Sequence, residues 1–206
     1  MELSIRLKTV AEAVTKGNRV ADVGTDHGYV PIYLVKNNLS PAGIAMDVNK
    51  GPLEKAQEHI REEKLGGKIA TRLGNGLAPL EPGETDTVII AGMGGDLICK
   101  ILKAKPEFLI EGKEFILQPQ SEWFKIRRLL KEYRYQIEKE WFLKEDGKYY
   151  VMSPSEITDD LRNQAADDYA KFMTADSYKT YTKAYNVFIK KNPGYEEKIA
   201  NKLDAE

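Results

Sequence analysis

The stretch VADVGTDHGY, residues Val20 to Tyr29, decides the fold. It has the pattern of an apolar strand, a glycine-containing turn and the start of a helix, and the next apolar run ends at Asp47. In nucleoside-binding sheets the first turn lets the backbone approach the cofactor, and an acid after the second strand accepts hydrogen bonds from ribose hydroxyls. The order of these features predicts a site for a nucleoside-containing cofactor.

The turn itself helps to choose between two classes of cofactor. A dinucleotide site uses G-x-G-x-x-G, whose later glycines make room for a pyrophosphate, but this turn is GTDHG with Asp26 inside it. That carboxylate would repel a pyrophosphate, whereas Asp22 and Asp26 together would attract a cation. S-adenosylmethionine carries a sulfonium and an ammonium group and no phosphate, so the turn favours it. A dinucleotide, or a plain loop glycine with a helix-capping aspartate, remains the alternative at this point.

Length and composition limit the classes of protein that fit. The 206 residues suit one domain of ordinary size with a small appendage, and the formal net charge of −1 provides no overall basic field for nucleic acid. The single cysteine, Cys99, excludes an intrachain disulfide and favours a small buried hydrophobe. The sequence shows no metal-ligand spacing, no signal pattern and no apolar run of about 18 residues, so we expect a soluble cytoplasmic protein without a membrane or metal partner. The oligomeric state stays open, with a monomer favoured.

Short apolar runs alternate with helical patterns along most of the chain. An amphipathic helix is predicted from about Leu3 to Lys16. The predicted strands are 19–23, 43–47, 69–73, 87–91 and 114–118, and the helices between them are at about 29–38, 50–65, 95–104 and 121–132. This alternation predicts an α/β fold with a parallel sheet covered on both faces.

The end of this alternation is different. Residues 135–143 and 149–152 have strand patterns, and the Asp-Gly turn signal between them predicts a hairpin that adds an antiparallel strand. Methyltransferase sheets of the Rossmann-like class end in this way, which favours methyl transfer over dinucleotide binding. Beyond the hairpin the composition turns helical and polar, so we divide the chain into a domain at 1–153 and a helical extension at 154–206.

Ligands of open parallel sheets bind beyond the carboxyl ends of the strands, so the residues that follow each strand are the candidates. Asn75 follows the third strand, where its amide could bond an adenine amino group. His27 is expected to be a structural hydrogen bonder and His59 to be exposed. The predicted cofactor contacts are Asp22, Gly24, Thr25, His27, Gly28, Tyr29, Asp47, Asn75, Gly76, Ala91 and Gly92. The predicted walls of an acceptor slot are Met93, Gly94, Gly95, Gln118 and Pro119.

Taken together, these motifs identify a resemblance. The L-x-x-R-L pattern from Leu3, the ADVGTDHGYVP segment, RLGNGL at 72–77, IAGMGG at 90–95 and ILQP at 116–119 closely resemble the TrmK family of bacterial tRNA (adenine-N1)-methyltransferases acting on position 22. The resemblance implies a class I methyltransferase fold, with a mostly parallel seven-stranded sheet, a terminal antiparallel hairpin and a coiled-coil-like C-terminal extension that grips tRNA. Two features depart from the family pattern: Asn75 stands where the family commonly has Asp, and Pro193 interrupts the extension.

The resemblance also suggests roles in catalysis. Adenine N1 carries a lone pair and no proton, so positioning should dominate the rate, and a carboxylate could stabilise the charge that the ring gains. Asp26 is the candidate for that catalytic role. Arg6 and Lys8 are candidates for contacts with tRNA phosphates. A methyltransferase acting on a small molecule or a protein, and a non-catalytic nucleoside-binding module, are the competing hypotheses.

Overall fold

The computed structural model describes residues 2–110, 114–133, 135–145 and 148–154. The predicted extension from residue 155 onward, and the Asp-Gly pair of the predicted hairpin turn, lie outside the described residues. The helices within the described part are α1 (Ile5–Glu12), α2 (Tyr29–Lys36), α3 (Lys50–Glu62), α4 (Gly95–Ala104), α5 (Pro106–Ile110) and α6 (Trp123–Glu132). The strands are β1 (Val20–Val23), β2 (Gly43–Asp47), β3 (Ile69–Leu73), β4 (Thr87–Gly94), β5 (Glu114–Ser121), β6 (Trp141–Glu145) and β7 (Lys148–Pro154).

The strands form a sheet in the order β3-β2-β1-β4-β5-β7-β6. The first five strands in that order are parallel, and β7 pairs antiparallel with both β5 and β6. The predicted α/β fold with a parallel sheet is confirmed. Because β1 lies between β2 and β4, the strand order reverses between β1 and β4, and this reversal is where an open parallel sheet offers a crevice for a ligand.

Helices cover both faces of the sheet, and this explains why its central strands are mostly apolar on both sides. All four residues of β1 are buried. Ala21 and Val23 belong to a core cluster that α4, α5 and α6 complete. Val20 points to the opposite face, where it packs with Val10 of α1 and Leu34 of α2. A strand buried on both sides cannot alternate apolar and polar residues, which is the pattern of a parallel sheet with crossover helices.

Several predicted boundaries are wrong. The first helix ends at Glu12 rather than near Lys16, and the last sheet-covering helix starts at Trp123 rather than at residue 121. Strands β4 and β5 each run three residues further than predicted, to Gly94 and Ser121, because Met93 still pairs with Pro119 across an irregular register. Helix α5, which starts at a proline as short helices often do, was not predicted.

The strand predicted from Tyr135 begins instead at Trp141. The ring of Tyr135 meets that of Phe115 edge-on at 5.4 Å, and its hydroxyl donates to the Phe108 carbonyl oxygen at 3.4 Å. Extended backbone that covers a core presents alternating apolar side chains just as a strand does, so the sequence pattern was that of a strand. No helix in the described part of the chain is both long enough and apolar enough to cross a membrane.

Candidate cofactor and acceptor site

The turn after β1 is anchored to the neighbouring strand. The amides of Gly24 and Thr25 both donate to the Met46 carbonyl oxygen of β2, at 2.8 and 2.9 Å. Gly24 has φ +73° and Gly28, which precedes α2, has φ +76°, so both lie in the left-handed region that glycine tolerates best. A side chain at Gly28 would also crowd Ala56, since a Cβ there would lie 3.1 Å from the Cβ of that residue. The turn therefore has a fixed shape at the point where the strand order reverses.

Asp22 is a carboxylate buried beneath this turn. Its side chain is part of a residue only 4% exposed, and the Thr25 hydroxyl donates to it at 2.7 Å. The pKa of Asp22 is raised from 3.8 to about 6, mainly by burial; the Thr25 hydrogen bond lowers it in part, and the negative charges of Asp47 and Asp26 add to the rise. The three carboxylates thus share a negative field beside the turn. Such a field repels phosphate and attracts a cation.

Asp47 ends β2 with its side chain held in place. The residue is 9% exposed, and its Oδ1 accepts the Asn49 amide at 2.8 Å. Asp47 is the last residue of β2 and so lies at the carboxyl edge of the sheet, where the sequence predicts a ribose acceptor. Asn75 is exposed in the turn after β3, and a Cβ on the neighbouring Gly76 would lie 3.0 Å from Ile101.

Asp26 and His27 follow Gly24 on the open side of the turn. The Asp26 side chain is 73% exposed, and its Oδ1 lies 3.2 Å from the Nε2 of His27. Its φ of +44° is unusual for a residue with a Cβ, although aspartate tolerates it better than most. His27 precedes α2 rather than lying within it.

The expectation that His59 is merely exposed is wrong. Its ring is half-buried and stacks on Tyr29 at 5.2 Å between centroids, and Tyr29 stacks on His27 at 5.4 Å. The His59 Nδ1 also lies 2.9 Å from the His27 carbonyl oxygen. This layer of rings braces the backbone that carries Asp26. Nothing in the local sequence relates residues 32 positions apart, so the layer could not be predicted.

The irregular end of β4, where the sequence predicts a loop, faces the first turn across the strand reversal. Ala91 is the last residue of the regular register, and Gly92 follows with φ +78°. Met93 reaches across to the first turn, because a Cβ built on Gly24 would lie 2.3 Å from its Cε. The predicted cofactor turn and the predicted acceptor loop are therefore in direct contact.

Gln118 and Arg6 tie this loop to its neighbours. Gln118 is fully buried, and its Oε1 accepts both the Gly92 amide and the Nη1 of Arg6 at 3.1 Å. Pro119 is buried beside it and pairs with Met93. Arg6 was predicted as a phosphate contact, but its guanidinium is bonded inside the site. A glutamine that follows an apolar run, as Gln118 does, indicates a polar group held by hydrogen bonds. Its partner Arg6 lies 112 residues away in the sequence, so the sequence could not predict the pair.

Two of the predicted acceptor residues have other surroundings. A Cβ on Gly95 would lie 2.5 Å from the Glu122 carbonyl oxygen, so this glycine permits close backbone packing and does not open a slot. A Cβ on Gly94 would meet the Ser121 hydroxyl at 3.2 Å.

Lys8, the second predicted phosphate contact, lies two positions after Arg6, about 200° around α1, and pairs with Glu12. Lys8 therefore lies on a different side of α1 from Arg6, the residue that bonds Gln118.

Metal chemistry has no candidate ligand set here. Among the described residues, no group of three or more His, Cys, Asp or Glu side chains could hold a metal ion. What the site offers is a carboxylate-lined turn and, facing it, the glycine-containing end of β4.

Comparisons with known proteins agree with this geometry. Residues 3–153 match the family model described as a methyltransferase domain. A Bacillus subtilis (strain 168) protein described as tRNA (adenine(22)-N(1))-methyltransferase is 40% identical over 159 residues, which cover 77% of this chain and 67% of the relative. The crystal structure of the B. subtilis M1A22 tRNA methyltransferase TrmK superposes with a TM-score of 0.73 at 40% identity, covering 77% of this chain and 68% of that one. A Streptococcus pneumoniae protein solved in complex with S-adenosyl-L-methionine is 38% identical, with a TM-score of 0.73 and coverage of 76% and 73%.

Proposed function

The chain belongs to the methyltransferase-domain family and, within it, to the TrmK group, and on this premise we propose that it transfers a methyl group from S-adenosylmethionine to N1 of adenine 22 in tRNA. The observation in the chain itself that carries the proposal is the cluster of Asp22, Asp26 and Asp47 around the Gly24 turn. A dinucleotide would bring a pyrophosphate into this negative field. The acidic turn therefore supports a cationic nucleoside.

The residues around the turn fit S-adenosylmethionine. Asp47 supplies an acceptor for the ribose hydroxyls, and beside Gly24 a ligand meets only the flexible end of the Met93 side chain. Asp22 is buried and costly to ionise, and a cation beside it would stabilise its charged form. We assign the adenine of the cofactor to the Asn75–Gly76 turn, which follows the third strand at the same edge. When bound, S-adenosylmethionine supplies an electrophilic methyl group on a sulfonium centre.

We assign the acceptor adenine to the opening beside Gly92 and Met93. Gln118 fixes the Gly92 amide, and Arg6 fixes the Gln118 amide in turn, so the opening keeps its shape. N1 lies on the pairing edge of adenine, so the base must leave its stack to enter. Holding its lone pair in line with the methyl group lowers the barrier by several kcal/mol.

Asp26 is the proposed catalytic residue. As the N–C bond forms and the S–C bond breaks, positive charge passes from the sulfonium to the adenine ring, and the exposed Asp26 carboxylate can stabilise it. Asp26→Asn removes the charge and keeps a residue that tolerates a positive φ. We expect kcat to fall about 100-fold, whereas the Kd for S-adenosylmethionine should weaken less, because solvent screens the exposed Asp26 charge and Asp22 and Asp47 remain in place. Methylation of tRNA at the wild-type rate by both Asp26→Asn and Asp26→Ala would refute the assignment.

We also propose the wider organisation of the protein. The strand order supports a seven-stranded class I sheet with a terminal antiparallel hairpin. The domain boundary at 153 is supported by the end of the family match. Residues 154–206 are proposed to contact tRNA, and the protein to act as a cytoplasmic monomer.

The decisive experiment is incubation of the full chain with an unmodified tRNA transcript and methyl-labelled S-adenosylmethionine, followed by mapping of the labelled nucleoside. We expect label at N1 of adenine 22 and none on a transcript with guanine at that position. Absence of label on adenine N1 would overturn the proposal. Label on a protein or small molecule instead would support the competing methyltransferase hypothesis, and failure to bind S-adenosylmethionine would support a non-catalytic module.

A further inference from the structure

We propose that the exposed face at the start of α6 is a stacking surface for tRNA nucleotides that flank the target adenine. The face is formed by Trp123, Phe124, Arg127 and Arg128, and we call it the aromatic shelf. The inference rests on the proposed function and extends it to a second contact, outside the pocket that holds the reacting base.

The two aromatic residues of the shelf are exposed although α6 has a well-formed core face. Trp123 is 38% exposed and Phe124 is 55% exposed. The helix buries Ile126, Leu129 and Leu130 instead. At 100° per residue these three lie on one side of α6, and Phe124 lies opposite them. The Phe124 ring therefore lies off the core face of α6, whereas the Trp123 ring lies at the edge of that face and is still partly exposed.

Arginines accompany both rings at helical spacing. The Arg127 guanidinium carbon lies 4.9 Å from the centroid of the Trp123 ring, and Glu140 holds the same guanidinium by an ion pair. Arg128 follows Phe124 at the i, i+4 spacing that puts two side chains on one face, and it is exposed. An apolar protein partner would need aliphatic residues at the next turn of this face. Flat rings interleaved with guanidinium groups suit nucleobases that stack and phosphates that pair.

Acidic residues at the base of the shelf are neutralised within the fold. Asp96 pairs with Lys100 at 2.8 Å and with Lys125 at 2.9 Å, and Lys125 also pairs with Glu122 at 2.6 Å. Two lysines thus balance two carboxylates. Because Glu140 also balances Arg127, the local field that a phosphate meets is then set mainly by Arg128.

The shelf lies next to the proposed acceptor opening. Strand β5 carries Gln118 and Pro119 at its carboxyl end, and Trp123 follows Gln120 by three residues, a span of at most about 11 Å. Glu122 makes the turn between strand and helix with φ +53°. When one base is turned out of its stack, its neighbours lose a stacking partner. Rings beside the opening would replace that partner.

Steady-state methylation of an unmodified tRNA transcript tests the shelf. Trp123→Ala and Phe124→Ala should each raise the KM for tRNA about 5- to 100-fold, with little change in kcat or in the Kd for S-adenosylmethionine. Trp123→Phe keeps a ring and should retain most of the affinity. Ile110→Ala is the matched control, because Ile110 is an exposed apolar residue, 75% accessible, at the end of α5.

Tryptophan fluorescence distinguishes contact with tRNA from a purely structural role of Trp123, because only contact would change its emission when tRNA is added. The chain has two tryptophans, so in a Trp141→Phe background Trp123 alone reports, and tRNA should quench its emission. If the wild type methylates tRNA but the alanine variants keep its KM and tRNA leaves Trp123 emission unchanged, the shelf is refuted and the proposed function stands. Loss of self-association in the variants, measured by sedimentation without a change in KM, would also refute it. If the wild type methylates no tRNA, the proposed function itself fails.

Discussion

Replacing Asp22 by asparagine should change stability in a way that depends on pH. Burial and the two neighbouring carboxylates raise the pKa of Asp22 from 3.8 to about 6. Keeping this group ionised in the folded state therefore costs about 3 kcal/mol at pH 7.5. Asp22→Asn removes that cost, and its side-chain oxygen can still accept the Thr25 hydroxyl. The new amide also brings a buried donor, whose desolvation costs about 1–3 kcal/mol at every pH.

The pH dependence separates the two effects. Because the pKa of Asp22 is higher in the folded than in the unfolded chain, the folded state binds its proton more tightly. The resulting stability is fully present below pH 3.8 and is lost as the pH rises through about 6. The free energy of unfolding of Asp22→Asn, relative to wild type, should thus increase by about 2 kcal/mol between pH 4.5 and pH 7.5. The pH-independent cost of the amide does not enter this change.

Urea unfolding at pH 4.5, 6.0 and 7.5 measures this difference, with Glu54→Gln as an exposed carboxylate control on α3. A difference between Asp22→Asn and wild type that stays constant across the range would refute the reasoning, because Asp22 would then titrate alike in both states. Saturating S-adenosylmethionine adds a functional arm. A bound cation favours the ionised carboxylate, so the cofactor should raise the melting temperature of wild type more than that of the variant.

Three further outcomes follow from the site. Asp47→Asn keeps the bond to the Asn49 amide but replaces one carboxylate oxygen, an acceptor, by an amide donor. Calorimetry should therefore show the Kd for S-adenosylmethionine weakened about 10- to 100-fold. An unchanged Kd would show that Asp47 does not bind the ribose. Gly95→Ala places a Cβ 2.5 Å from a carbonyl oxygen and should lower the free energy of unfolding by about 1–3 kcal/mol. The control Gly51→Ala, whose Cβ would have no atom within 4 Å, should raise it by up to about 1 kcal/mol. Equal effects of the two variants in thermal unfolding would contradict the packing role of Gly95. Binding of tRNA should weaken steeply with added salt, while binding of S-adenosylmethionine should not.

The parts of the fold that local pattern decides were predictable. Strands β2 and β3 have the predicted limits, because Asp47 at the end of β2 and Gly74 after β3 are residue types that favour turns. Strands β4 and β5 continue past the predicted ends because their last residues pair through an irregular register. Glycine and proline weaken strand propensity, so the sequence signals a stop where tertiary pairing continues.

Within the candidate site, sequence indicated the residues at strand ends but not their partners. Asp22, Asp47 and the glycine turn follow from position along the chain. The bond from Arg6 to Gln118 and the stacking of His59 on Tyr29 join elements far apart in sequence. Such contacts depend on how helices α1 and α3 pack on the sheet, and no local sequence pattern determines this packing.

The contact between Met93 and Gly24 joins the two halves of the site. Because a Cβ at Gly24 would lie 2.3 Å from the Met93 Cε, the end of that side chain occupies the space beside the cofactor turn. A ligand that approaches the Gly24 backbone must meet or displace Met93, which follows Gly92 at the end of β4. The side-chain oxygen of Gln118 accepts the Gly92 amide and holds this backbone in place. Since Gln118 is fixed by Arg6, displacement has to be taken up by the flexible methionine side chain rather than by the loop backbone. Binding of the methyl donor at Gly24 would then move the Met93 side chain and leave the backbone of the proposed acceptor opening in place.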